Sequence, residues 1–230
     1  MNVRLLSYSQ PTEEFRDLGL EDAQELIAYC ARVSNPSNQF NSETSQRLIR
    51  YLVRHQHWSP LEMVSACLEI RTTRDIARQI LRHRSFSFQE FSQRYADPTR
   101  DLDFVVRETR LQDTKNRQNS IELDPNDTEA RELAKVWHAK QLEVIAKCRE
   151  AYQWAIDNGL AKEQARAVLP EGLMESRLYM NGTLRSWIHF IELRSGHGTQ
   201  KEHQEVARAC AQVIAGVFPM ASEFVADAAG

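Results

Sequence analysis

The spacing of apolar positions divides the chain into short extended segments separated by helices. Residues 3–7 predict a short strand. Behind Asp22, whose carboxylate suits an N-cap, Ala23, Leu26, Ile27 and Cys30 recur at helical spacing. That helix ends near Val33-Ser34, before the turn-rich Asn35-Pro36-Ser37-Asn38. Ser42 is the expected cap of a second helix with Leu48, Ile49, Leu52 and Val53 inward, and Trp58-Ser59-Pro60 breaks the chain. Residues 64–71 alternate as a strand, and Thr72/Thr73 start a helix with Ile76, Ala77, Ile80 and Leu81 as its core stripe. Arg74, Arg78 and Arg82 repeat every four residues on another face of that helix, with Gln79 beside them.

Downstream the pattern is coarser. Residues 82–94 leave the Arg-bearing helix as a loop, and 97–127, rich in Asp, Arg, Asn, Thr and Pro, predict a surface excursion with one strand. A long helix spans 128–158 and stops at Gly159. Residues 162–168 form a short helix closed by Pro170, and 177–180 are extended. Residues 184–193 and 199–217 are helical on either side of the turn Ser195-Gly196-His197-Gly198. Many helices and few strands put the chain in the α+β class.

Composition changes this picture little. The 230 residues are 42% hydrophobic and 27% charged, with 8 Gly and 7 Pro, as in an ordinary globular chain without low-complexity tracts. Cys30, Cys67, Cys148 and Cys210 are far apart and form no C-x-x-C pair, which suits small core residues in a reducing cytosol. The first residues lack the apolar core of a signal peptide, and no apolar run approaches a membrane span, so a cytoplasmic protein is expected. The net charge of −3 disfavours broad nucleic-acid binding. Positive charge is instead local: residues 71–94 hold six Arg against Asp75 and Glu90.

Within that window, Arg82-His83-Arg84-Ser85-Phe86-Ser87-Phe88-Gln89-Glu90-Phe91-Ser92-Gln93-Arg94 concentrates Arg, Ser, His and Glu and contains no Lys. Guanidinium forks grip phosphate at two points and stack on flat rings, and Ser hydroxyls both donate and accept. Such a set suits a phosphorylated ligand bearing a flat ring, a nucleotide. The residues alone stop there, because no G-x-G-x-x-G flavin or nicotinamide fingerprint is present.

The stretch fits R-H-R-x-x-S-x(2)-E-x-S-x-R at Arg82, His83, Arg84, Ser87, Glu90, Ser92 and Arg94, and so resembles the flavin-dependent thymidylate synthases. Ala31-Arg32-Val33-Ser34, His55-Gln56-His57-Trp58-Ser59-Pro60-Leu61-Glu62 and Ala165-Arg166-Ala167-Val168-Leu169-Pro170 resemble further blocks of that family, in order, over about residues 20–218. The resemblance implies one domain over 1–230, with 97–127 as its variable excursion. It implies a mostly antiparallel sheet flanked by helices, a homotetramer and active sites between subunits. It also implies that dUMP becomes dTMP, with methylenetetrahydrofolate giving the carbon, NADPH the electrons through FAD, and tetrahydrofolate released.

Carried over residue by residue, the resemblance points to Ser34, Ser59, Arg82, His83, Arg84, Glu90, Thr183, Arg185 and His189 for FAD, Thr183 standing where the family carries Asn. It points to Gln79, Arg82, Glu90, Ser92, Gln93, Arg94, Arg177 and Arg194 for dUMP. Arg194 is the expected activator, a fixed cation beside the uracil edge. The Cys residues lie outside these blocks, and Ser92 has no His placed by sequence as its base, so no covalent bond to uracil is expected. Taken without the resemblance, each residue has a plainer reading. His189 is then a helix residue against Trp187 or Phe190, Arg194 complements a helix C-terminus, and Ser92 and Arg94 are a polar loop tip. Two rival functions have weaker support. His55, His57, His83, His197 and His203 lack metal-site spacing. Phe86, Phe88 and Phe91 beside the Arg face could stack bases as in a single-strand-binding surface, but Phe at such positions more often fills a core.

Overall fold

The computed structural model describes residues 1–225. In chain order the elements are β1 (Asn2–Tyr8), α1 (Glu13–Asp17), α2 (Ala23–Ala31), α3 (Ser45–Arg54), β2 (Ser65–Thr73), α4 (Arg74–Ile80), β3 (Ser87–Glu90), α5 (Pro98–Asp101), β4 (Arg110–Gln112), β5 (Ser120–Glu122), α6 (Thr128–Asp157), α7 (Lys162–Ala165), β6 (Glu175–Thr183), α8 (Leu184–Ser195) and α9 (Lys201–Ala215). Short 3-10 turns, among them Ser59–Glu62, join several of them. A four-stranded sheet of order β1-β2-β6-β3 is antiparallel throughout. This is the α+β architecture expected from the sequence.

One face of the sheet is the core. Ala66, Leu68 and Ile70 of β2 pair with Gly182, Met180 and Leu178 of β6. They bury against Ile27 of α2, Ile76 and Ile80 of α4, Trp187, Phe190 and Ile191 of α8, and Val206, Cys210 and Ile214 of α9. Trp187 is held in this apolar mass because its Nε1 donates to the Ala66 carbonyl at 3.0 Å. The opposite face, with Glu69, Arg71, Arg177 and Tyr179 in alternation, is polar, as expected of an antiparallel sheet covered on one side.

Local chemistry explains most element ends. Asp22 Oδ1 accepts from the backbone N–H of Gln24 and Glu25, both at 2.8 Å, which fixes the start of α2 as predicted. Gly159 takes φ +75° just past α6 and ends it. Ser42 does not cap α3; Thr44 precedes its first residue. Gln56 closes α3 in the left-handed region at φ 58°, a place that ordinarily favours Gly.

Two segments differ from expectation. The stretch 82–94 is not all loop, because residues 87–90 form β3 on the edge of the sheet, paired with β6. Residues 97–127 hold a two-stranded hairpin, β4–β5, rather than one strand. The excursion is also fastened at its root. Arg107 N donates to Gln141 Oε1 (2.7 Å) while its guanidinium donates to Thr73 Oγ1 and Asp75 Oδ2 (both 2.9 Å). Of the cysteines, Cys210 is fully buried and the other three are half-buried.

Candidate active site

Three groups of the expected residues emerge. The first gathers where α4 and α8 end. Arg82 and His83 lie in the turn leaving α4, and Arg194 in the last turn of α8; Arg194 Nε donates to His83 Nε2 at 2.9 Å. The His83 ring sits 5.0 Å from that of Phe190 and 6.5 Å from that of Phe86. Burial first, and then the Arg194 charge, press its pKa down to about 4. His83 is therefore neutral at pH 7, accepts at Nε2 and carries its proton on Nδ1. Burial and the nearby Arg82 charge lower the pKa of Arg194 as well, yet a guanidinium stays charged. Gln79 joins this group from α4, its Nε2 donating to Gln200 Oε1 at 2.9 Å and its Oε1 facing His203 Nδ1 at 3.2 Å. Arg84 is exposed on the same turn.

The second group surrounds a cavity of about 390 Å³ lined by Arg74, Arg78, Gln93, Glu163, Arg166 and Glu171. Glu90 borders it: its Oε1 accepts from Ser176 Oγ at 2.7 Å and lies 3.6 Å from the buried Arg74. Gln93 is 3% exposed, and its Nε2 is buried without a hydrogen-bond partner among the described residues. Arg94 turns its fork to Glu163 at 3.2 Å, while its backbone N–H donates to Ser92 Oγ at 3.4 Å. Arg78 pairs with Glu171 at 3.2 Å. The Arg94 and Arg78 pairs are half-exposed and worth little, so an arriving phosphate can replace the carboxylates. The cavity sets Arg74, Arg78, Arg166 and an unsatisfied amide donor against Glu163 and Glu171, a lining that can hold an anion where those carboxylates give way.

The third group lies at the start of α8. Thr183 caps that helix, its Oγ1 accepting from Ser186 N at 3.3 Å. Arg185 is ion-paired with Glu62 of the Ser59–Glu62 turn. His189 is exposed and its ring lies 4.5 Å from that of Trp58, so the plainer expectation of packing on Trp187 or Phe190 does not hold. Ser59 opens the turn between these groups, and Ser34 is exposed just beyond α2, which packs on the same turn.

Arg177 stands apart. It pairs with Arg71 on the polar face of the sheet, whereas Glu90 and Ser176 lie on the core side. The sequence reading also left several lining residues unassigned. Arg74 and Arg78 were visible in the four-residue Arg repeat, and Arg166 within its A-R-x-V-L-P block. Gln200 and His203 carried no local signal, since their role depends on α9 crossing α4. Phe86 is buried against Trp187 at 4.8 Å between ring centroids, a core position rather than a base-stacking one. Among the described residues no three His, Cys, Asp or Glu side chains could hold a metal ion, and no helix is long and apolar enough to cross a membrane.

Comparison with known proteins identifies relatives of the whole chain. The family described as thymidylate synthase complementing protein matches residues 18–220. A probable flavin-dependent thymidylate synthase of Paramecium bursaria Chlorella virus 1 is 45% identical over 219 residues, covering 95% of this chain and 96% of the relative. The flavin-dependent thymidylate synthase of Synechocystis sp. is 46% identical over 220 residues, covering 95% and 96%. Among solved structures, the UMP/dUMP methylase PolB from Streptomyces cacaoi, bound with 5-Br dUMP, superposes with a TM-score of 0.77 at 26% identity over 97% of this chain and 93% of that one.

Proposed function

Since this chain belongs to the thymidylate synthase complementing protein family, the flavin-dependent thymidylate synthases, we propose that its three residue groups together perform the reductive methylation of dUMP. dUMP, methylenetetrahydrofolate, NADPH and a proton are converted to dTMP, tetrahydrofolate and NADP⁺. The observation that carries the reading is the convergence of Arg82 and His83 with Arg194 from a helix over one hundred residues downstream.

Arg194 is the catalytic residue of this proposal. Its guanidinium stabilises negative charge developing on the pyrimidine when C5 is activated. Because Nε is committed to His83 and neither terminal nitrogen has a partner among the described residues, both can meet the ring's carbonyl edge. Since the guanidinium keeps its proton, it acts by electrostatics and not as the acid. Gln79, Arg82, Glu90, Ser92, Gln93, Arg94 and Arg177 bind dUMP, with the Arg-lined cavity beside Gln93 taking the phosphate. Arg177 supports the assignment only in an assembly, where the polar face of the sheet meets a partner. No covalent bond to the enzyme forms at uracil C6.

The residues fit FAD. Arg82, Arg84 and Arg185 are donors suited to a pyrophosphate, Ser34, Ser59 and Thr183 add hydroxyls, and the exposed His189 against Trp58 offers a ring N–H beside a flat apolar wall. When bound, FAD relays the reducing equivalents of NADPH. The assembly is a cytoplasmic homotetramer with sites between subunits. The exposed Val136, Trp137, Val144 and Trp154 of α6, and two Arg groups separated within one chain, support that reading.

A visible spectrum after mixing the protein with FAD and desalting tests the proposal. Retained flavin absorbance, with dTMP formed from the three substrates, supports it. A folded, colourless protein with no turnover overturns it.

A further inference from the structure

A directed hydrogen-bond chain crosses from the β4–β5 hairpin to Gln79. It starts at Glu202, in the first turn of α9, where Arg110 of β4 pairs with Oε1. Burial opposes ionisation of Glu202, but the Arg110 hydrogen bond and the charges of Arg107 and Arg110 keep its carboxyl below the usual range. A carboxylate only accepts. Gln200 must therefore present Nε2 to Glu202 Oε2, at 3.0 Å, and turn its Oε1 away. That oxygen receives Gln79 Nε2 at 2.9 Å, which leaves Gln79 Oε1 facing His203 Nδ1 at 3.2 Å. An amide oxygen cannot donate, so His203 must carry its proton on Nδ1. His203 is fully buried, and its Nε2, a bare acceptor in this tautomer, has no hydrogen-bond partner among the described residues. Each link dictates the next, and the side-chain amide of Gln79 is held in one of its two flip states.

We infer that Glu202, Gln200 and His203 are positioning residues that fix the amide of Gln79 for nucleotide recognition. The inference rests on the assignment of Gln79 to dUMP. With Nε2 and Oε1 each engaged once, Gln79 keeps one N–H and one lone pair, both of fixed direction. A ribose hydroxyl, which donates and accepts, matches that pair. A randomly flipped amide would present donor and acceptor in the wrong order in half of the molecules. The hairpin, the least predictable part of the chain, thus contributes to the site through Arg110.

The test compares His203→Leu with His203→Asn, because Asn places an N–H near the position of Nδ1 whereas Leu has none. The account expects His203→Leu to raise the KM for dUMP about fivefold, the worth of one hydrogen bond, with kcat and FAD binding unchanged. His203→Asn is expected to restore KM. Gln200→Leu, at a half-buried position, reads the same relay and keeps the test open if His203→Leu does not fold. If Gln79→Leu weakens dUMP binding but the His203 and Gln200 variants do not, or if His203→Asn is as impaired as His203→Leu, the relay is wrong and the role of Gln79 stands. If Gln79→Leu leaves dUMP binding unchanged, the role of Gln79 falls and the relay falls with it.

Discussion

Arg194 Nε donates to His83 Nε2 at 2.9 Å, joining the last turn of α8 to the turn that leaves α4. The bond makes the imidazole the acceptor and orients the guanidinium, so a residue of the R-H-R element aims the cation proposed to activate uracil. Arg194→Ala should retain FAD but lose about 10²–10³ in kcat, the usual worth of a preorganised charge at a developing anion. Arg194→Lys should recover little of this, since an ammonium has no Nε for His83 together with two free nitrogens. Rapid-quench dTMP formation measures it; a near wild-type rate for Arg194→Ala removes Arg194 from catalysis.

Stability should fall in weak acid for a named reason. Burial first, then the Arg194 charge, lowers the His83 pKa from 6.5 to about 4, and burial with the Arg194 and His83 charges lowers that of His203 to about 3. The unfolded chain takes up these protons near pH 6.5 and the folded one does not. Their stabilisation is whole above about pH 6.5 and is lost as pH falls from there through about 4 for His83 and about 3 for His203. Melting curves at pH 7.5 and 5 should show a larger drop for the wild type than for His203→Asn. Equal drops would mean that the buried ring does not control acid sensitivity.

Ser92 is a ligand in this account and not a nucleophile. Its Oγ already accepts the Arg94 N–H, at 3.4 Å. Ser92→Ala should keep turnover within about tenfold of wild type, with KM for dUMP raised, consistent with loss of one or two hydrogen bonds. Abolished turnover with dUMP binding intact would reinstate covalent catalysis.

Gln56 holds φ 58° between His55 and His57, closing α3 with His57 N donating to Leu52 O at 2.8 Å. A side chain with a Cβ costs roughly 1–2 kcal/mol in this region, and Gly is free of that cost. Gln56→Gly should gain about 0.5–1 kcal/mol after the larger unfolded-state entropy of Gly, raising Tm by a few degrees, about 2–4 °C per kcal/mol at this size. A lower Tm would show that the Gln56 side chain contributes more than its backbone costs.

The fold was legible where one physical rule governed. Asp22, the Ile76/Ala77/Ile80 stripe and Gly159 each carry a local signal that packing did not override. β3 was missed although Phe86 and Phe88 alternate with Ser87 and Gln89, because the charged flanks obscured a strand of four residues. β4 and β5 have one apolar residue each, Leu111 and Ile121, too few to show a period. The site was legible as far as its motif ran. Placing Arg177 on the polar face needed the register of β2 against β6, and finding His203 needed the crossing of α9 over α4.

The fate of the folate decides the central claim. The protein is incubated with dUMP, methylenetetrahydrofolate, FAD and NADPH, and the folate product is quantified against dTMP by chromatography. One tetrahydrofolate per dTMP, with no dTMP when FAD or NADPH is left out, is the predicted result. Dihydrofolate in equal amount to dTMP, or dTMP formed without flavin and NADPH, would contradict it.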